Sequence, residues 1–134
     1  MTDDSVIVAQ VNKHWEALRD GDTERAHEVY HPDAVLEFPQ LGERFEGVAS
    51  FTEWRRQYPA PADQMRYRLR RVTTRVDLAV VELSASYDGG TSWLQGVQLL
   101  EFRGDKVARE RIYVMEGWEA PAWRAEWRSD TPSE

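Results

Sequence analysis

Three residues of this chain have the type and setting for chemistry: His14 and Glu110 for proton transfer, and Gln98 as an amide hydrogen-bond donor. His14 falls on the stripe Ile7, Val11, His14, Leu18, whose steps of four, three and four place it on the apolar face of a first helix. Glu110 lies in the strand-like run Val107 to Met115, where Ala108, Glu110, Ile112 and Val114 form the more apolar of the two alternating sets. Burial raises a carboxyl's pKa and a neighbouring imidazole lowers it, so a histidine and a glutamate turned into one apolar space can act as acid and base. Gln98 interrupts the run Leu94 to Phe102 on the face it shares with Leu94, Gly96, Leu100 and Phe102. The bland reading of the same residues is open too. A histidine on an apolar stripe also serves as a hydrogen-bonded core residue, and an inward carboxylate can simply pair with an arginine or with His14.

The elements that must position these groups follow from the periodicity. Asp3, Asp4 or Ser5 caps the first helix, with Val8 and Trp15 flanking its stripe, and Gly21 ends it after Arg19-Asp20. Asp22 or Thr23 caps a second helix, TERAHEVY, which must stop near Tyr30-His31 because Pro32 disfavours a helical residue before it. Asp33 to Pro39 reads as a short strand and Gln40 to Gly47 as a loop or small hairpin. The run VASFTEWRRQY is a third helix with the stripe Val48, Phe51, Trp54, Tyr58, ended by Pro59 and Pro61. From Gln64 the period becomes two: Tyr67 and Leu69 alternate with arginines, then Leu78 to Tyr87, a turn at Asp88-Gly89-Gly90, Thr91 to Arg103 and Val107 to Met115.

Helices first and a four-stranded meander after them predict one α+β domain over residues 1–134, ordered from about 4 to 128, with helices packed on a curved antiparallel sheet. The strand Leu94 to Phe102 is apolar on both faces, so something must cover each: a helix layer on one side and a second subunit on the other. Trp118, Trp123 and Trp127 near the end of the chain can pin that segment over the body or onto a neighbour, while the residues from Asp130 to Glu134 are expected to be disordered.

Composition narrows the classes of function. With 17 Lys+Arg against 24 Asp+Glu the net charge is -7, which opposes generic binding to nucleic acid or to anionic membranes. Arg66, Arg68, Arg70, Arg71 and Arg75 could form a local basic face, read as a solvated or salt-bridged strand face because no nucleic-acid motif accompanies it. The absence of cysteine excludes disulfides, cysteine nucleophiles and thiolate zinc sites. His27 and His31 have metal-ligand spacing, but Pro32 breaks the helix there and no ligand set surrounds them, so no metal is expected. Nucleotide-binding glycine loops and nucleophile elbows are missing, and no cofactor is called for. The acidic start is wrong for a signal peptide and no run is long enough to span a membrane, so a cytoplasmic protein is the expectation. Six Trp, five Tyr and four Phe suggest an aromatic-lined cavity or a large interface.

The motif Trp15-Glu16-Ala17-Leu18-Arg19-Asp20-Gly21-Asp22, followed by Tyr30-His31-Pro32-Asp33-Ala34, a helix and a long meander, resembles the nuclear transport factor 2-like fold. The resemblance covers about Val6 to Met115 and is to the branch with SnoaL-like polyketide cyclases and ketosteroid isomerase. It implies a cone-shaped α+β barrel of cystatin-like topology, one apolar pocket for a small apolar ligand, and a homodimer through the outer face of the sheet. Ketosteroid isomerase uses an aspartate base with a tyrosine and a protonated aspartate as oxyanion hole. Its tyrosine falls on His14, its base on Phe38 and its protonated aspartate on Gln98, so all three differ and its steroid reaction is not expected.

Placed in such a pocket, Gln98 offers an amide that donates to a substrate oxygen, with Tyr30 as a second candidate, while His14 and Glu110 exchange the proton. Trp15, Tyr30, Phe38, Trp54, Tyr58, Leu94, Leu100, Ile112 and Val114 are the expected pocket wall. Two functions are consistent with this: a cofactor-free isomerase, cyclase or dehydratase acting on an apolar, oxygen-bearing substrate, or a noncatalytic ligand-binding or dimerisation module.

Overall fold

Asp3 caps α1 (Asp4–Arg19), its side chain accepting from the Ser5 backbone N–H at 2.8 Å. The structure, a computed structural model, describes residues 2–58, 62–115 and 119–130. The face of α1 that turns inward carries Ile7, Val11, His14, Trp15 and Leu18, all buried. Gly21, at φ 72°, reverses the chain in a conformation costly for any residue with a Cβ, and the Asp22 N–H bonds the Ala17 carbonyl at 2.9 Å.

α2 (Thr23–His27) is capped by Asp22 and is shorter than its sequence pattern suggests. Tyr30 leaves the expected helix and opens β1 (Tyr30–Phe38) instead, opposite Val107. The pairing then skips to Val35 against Arg109, so Pro32 lies in an irregular stretch where its missing N–H costs no ladder bond. A short 3-10 turn at residues 39–41 leads to β2 (Glu43–Glu46), which pairs antiparallel with the end of β1, so the hairpin begins before the Gln40 to Gly47 stretch in which the sequence allowed one. α3 (Val48–Arg56) stops two residues before Tyr58; Pro59 and Pro61, expected to end it, lie outside the described residues.

β3 (Arg66–Arg75), β4 (Leu78–Ser86), β5 (Leu94–Arg103) and β6 (Lys106–Met115) are the predicted antiparallel meander. The sheet is larger than that meander. Among the described residues its six strands run in the order β2-β1-β6-β5-β4-β3, with β1 parallel to β6, so it is mixed and open, with β2 and β3 at its edges. The α+β class and the layering of helices on a sheet are as the sequence implies, α1 packing on β3 and α3 on β1. Alternation along β5 also holds: Gln98, Leu100 and Phe102 are buried inward, whereas Val97, Leu99 and Glu101 on the outer face are half-buried.

Gly96 is required where it stands. A Cβ there would sit 2.2 Å from Val114 Cγ2 and 2.9 Å from the Tyr113 carbonyl oxygen, closer than atoms can pack. The arginines of β3 are exposed: Arg71 pairs with Glu82, Arg70 donates to Gln95 at 2.8 Å, and the Arg68 guanidinium lies 4.3 Å from the centre of the Trp93 ring. Trp123 and Trp127, in a 3-10 segment over residues 122–127, are each 75% exposed and so are not pinned to the body. Trp118 and residues 131–134 lie outside the described residues. No helix among the described residues is long and apolar enough to cross a membrane.

Candidate functional site

The indole N–H of Trp15 can only donate, and that fixes the direction of a buried chain of hydrogen bonds. Trp15 Nε1 donates to Gln98 Oε1 at 3.1 Å, which turns the Gln98 amide nitrogen toward Glu110, where it donates to Oε2 at 2.9 Å. The other carboxylate oxygen, Oε1, accepts from the Tyr30 hydroxyl. Helix α1 and strands β1, β5 and β6 each contribute one member, and Gln98 and Glu110 are each 1% exposed. Both oxygens of Glu110 thus face donors, the arrangement that suits an ionised carboxyl. Burial, and then the Glu110 charge, push the Tyr30 phenol well above its usual pKa, so Tyr30 stays a donor.

His14 stands beside this chain. Its Nδ1 lies 2.7 Å from the Ala26 carbonyl oxygen, an acceptor only, so Nδ1 carries the proton and Nε2 the lone pair. Among the described residues Nε2 has no hydrogen-bond partner. The imidazole meets the rings of Trp15 and Tyr30 edge-on, with centroids 5.5 Å away in each case. Burial lowers the His14 pKa, and the nearby Glu110 carboxylate opposes that in part, so the ring is neutral at pH 7.

These groups form the inner end of a cavity of about 570 Å³ between the helices and the sheet. His14, Gln98 and Glu110 line it, as do Trp15, Phe38, Trp54, Tyr58, Leu94, Ile112 and Val114 from the expected wall. Tyr30 and Leu100 do not. Both are buried behind the wall, Tyr30 because it packs between Phe51 and the two histidine rings, Leu100 because it belongs to the core cluster. His14, Phe38 and Gln98 all face the same cavity.

Several wall residues escaped sequence reasoning. Phe45 and Tyr87 extend the aromatic lining, Phe45 with its ring 5.6 Å from that of Trp54 and Tyr87 with its ring 5.4 Å from that of Tyr58. Arg55 brings a guanidinium, held 5.3 Å from the centre of the Trp54 ring. Only its position next to Trp54 could have signalled it, since an arginine late in a helix ordinarily reads as solvated. Glu37 of β1 is engaged in an ion pair with Arg109 at 2.6 Å. His27 ends α2 and His31 lies in β1, so the two do not share a helical face, and no cluster of three metal-ligating side chains occurs among the described residues.

The model of one protein family, the SnoaL-like domain, matches residues 11–110. Among curated proteins none matches. Among solved structures, a nuclear transport factor 2-like protein of unknown function from Burkholderia xenovorans LB400 is 32% identical, with a TM-score of 0.80 over 96% of this chain and 98% of that one. A protein of Kribbella flavida DSM 17836, provisionally named a ketosteroid isomerase, is 24% identical, with a TM-score of 0.83 over 97% of this chain and 93% of that one. TerC, co-crystallised with polyporic acid, is 22% identical, with a TM-score of 0.72 over 82% of this chain and 92% of that one.

Proposed function

Since the chain belongs to the SnoaL-like domain family, we propose that it binds an apolar, oxygen-bearing small molecule in this cavity and moves a proton on it without a cofactor. The observation that carries this reading is the unpartnered Nε2 of a neutral, buried His14 on the cavity wall, beside a carboxylate already held by two donors. In the proposed reaction Nε2 takes a proton from the substrate, and the Glu110 charge stabilises the imidazolium that forms. One N–H of the Gln98 amide is used on Glu110; the other is available to a substrate oxygen on which negative charge develops. The proton then returns from Nε2 to another atom of the substrate, giving isomerisation, or leaves with a hydroxyl, giving dehydration. That TerC holds polyporic acid on the same fold supports a ligand site here.

A noncatalytic carrier is the second reading, favoured by one observation. Both oxygens of Glu110 and the Gln98 carbonyl oxygen already have donors within the chain Trp15, Gln98, Glu110, Tyr30, so the carboxylate needs no ligand to hold it. The two readings separate with an enolisable apolar ketone such as 2-tetralone in heavy water. Proton transfer predicts that the protein speeds loss of the α-proton NMR signals above the buffer rate and that His14→Ala abolishes the gain. Saturable binding with no faster exchange would leave the carrier.

We also propose that the outer face of the sheet pairs with a second copy of the chain. Val97 and Leu99 are half-buried there and Tyr113 is 41% exposed, an apolar surface on strands central to the sheet.

A further inference from the structure

Proton transfer by His14 uses the inner end of the cavity and leaves Arg55 without a role. Its neighbour in sequence, Arg56, pairs with Glu24 and Glu53. Arg55 has no such partner among the described residues, and its Nε is buried without a hydrogen bond. A buried donor left unpaired is costly, and a guanidinium presents its N–H groups in a planar fork that fits two oxygens at once. Trp54 lies beneath this fork, so its plane is held without using any of its donors.

We infer that the ligand is an amphipathic monoanion, an apolar body carrying one carboxylate or comparably planar oxyanion, whose charged group sits on Arg55. The inference rests on the cavity being a ligand site and not on proton transfer at His14. Neither carboxylate of the cavity wall competes for the guanidinium. Both oxygens of Glu110 are occupied by Tyr30 and Gln98, and Glu43 is exposed. The Arg55 charge reaches the tyrosines of the cavity wall, opposing the effect of burial at Tyr67 and Tyr87. A cationic ligand, which the aromatic wall alone would welcome, meets a like charge instead.

The test compares 2-naphthoate with 2-naphthamide, nearly equal in shape and different in charge, by isothermal titration calorimetry at pH 8. The protein should bind the naphthoate at least about tenfold more tightly, the effect of one charge-assisted hydrogen-bonded pair. Arg55→Gln should bring the two within about twofold while keeping the amide's affinity, and Arg55→Lys should restore part of the preference. His14→Ala should keep the preference intact. Equal binding of the two compounds by the unaltered protein overturns the anion site and leaves the cavity as a ligand site. So does a preference that survives in Arg55→Gln. Binding of neither compound overturns both readings together. Should Arg55→Gln fail to fold by circular dichroism, the comparison on the unaltered protein still decides.

Discussion

Replacing Tyr30 with phenylalanine isolates one link of the buried chain. The Tyr30 ring lies 4.9 Å from Phe51, 5.4 Å from His27 and 5.5 Å from His14, all edge-on, and a phenylalanine keeps every one of those contacts. Only the hydroxyl is lost, and with it one of the two donors that hold Glu110. A hydrogen bond to a charged group contributes about 1.5–3 kcal/mol, and the carboxylate served here is 1% exposed. Tyr30→Phe should therefore lower the unfolding free energy by about 1.5–3 kcal/mol in urea titrations, or the Tm by roughly 5–11 °C for a domain of this size. In a Glu110→Gln background there is no charge to leave unpaired, so the same substitution should cost about 1 kcal/mol or less, and the difference is the coupling energy of the pair. Equal costs in the two backgrounds would refute the reasoning, because the hydroxyl would then be contributing to something other than the carboxylate.

Acid should destabilise the protein through its two buried histidines. Burial lowers the pKa of both, that of His27 to about 3, so as pH falls below the ordinary value of 6.5 the unfolded chain takes up protons that the folded one refuses. Stability present above pH 6.5 is then lost progressively below it, by at most about 1.4 kcal/mol per pH unit for each histidine, measured as urea midpoints from pH 7 to 5; a flat profile would count against it. Gly96→Ala should cost about 1–3 kcal/mol, and adding Val114→Ala should recover only part of that, since the Tyr113 carbonyl oxygen remains 2.9 Å from the new Cβ. Leu99→Arg, on the proposed dimer face, should convert a dimer to a monomer in sedimentation at micromolar concentration, and a monomeric unaltered chain would overturn that interface.

The inward sets of β5 and β6 were legible because alternation with a period of two is a local property. Gln98 and Glu110 reach the cavity for the same reason that Leu100 and Val107 reach the core. His14 was legible from the steps of its helical stripe. Tyr30 was not, because its place depends on β1 pairing with β6 across about eighty positions of sequence, and a helix pattern that runs up to Pro32 gives no hint of that partner. The parallel docking of the β1–β2 hairpin was hidden by the same non-locality, which is why the sheet has six strands where a local reading finds a meander of four. Arg55 was missed for a chemical reason. Its long polar side chain looks solvated in any window of sequence, and only the folded aromatic wall shows it turned inward.

The order β2-β1-β6-β5-β4-β3 has a consequence for how the chain is made. β6 is the last strand to be synthesised and lies between β1 and β5, so until it arrives the sheet exists only as two unjoined pieces. On a ribosome adding about 5–20 residues per second, the early hairpin must wait several seconds with its inner edge uncovered. The same event supplies Glu110, without which Tyr30, Gln98 and the rest of the site have nothing to converge on. Closure of the sheet and completion of the polar chain are therefore one step, and a nascent chain released before β6 would have neither a continuous sheet nor a site.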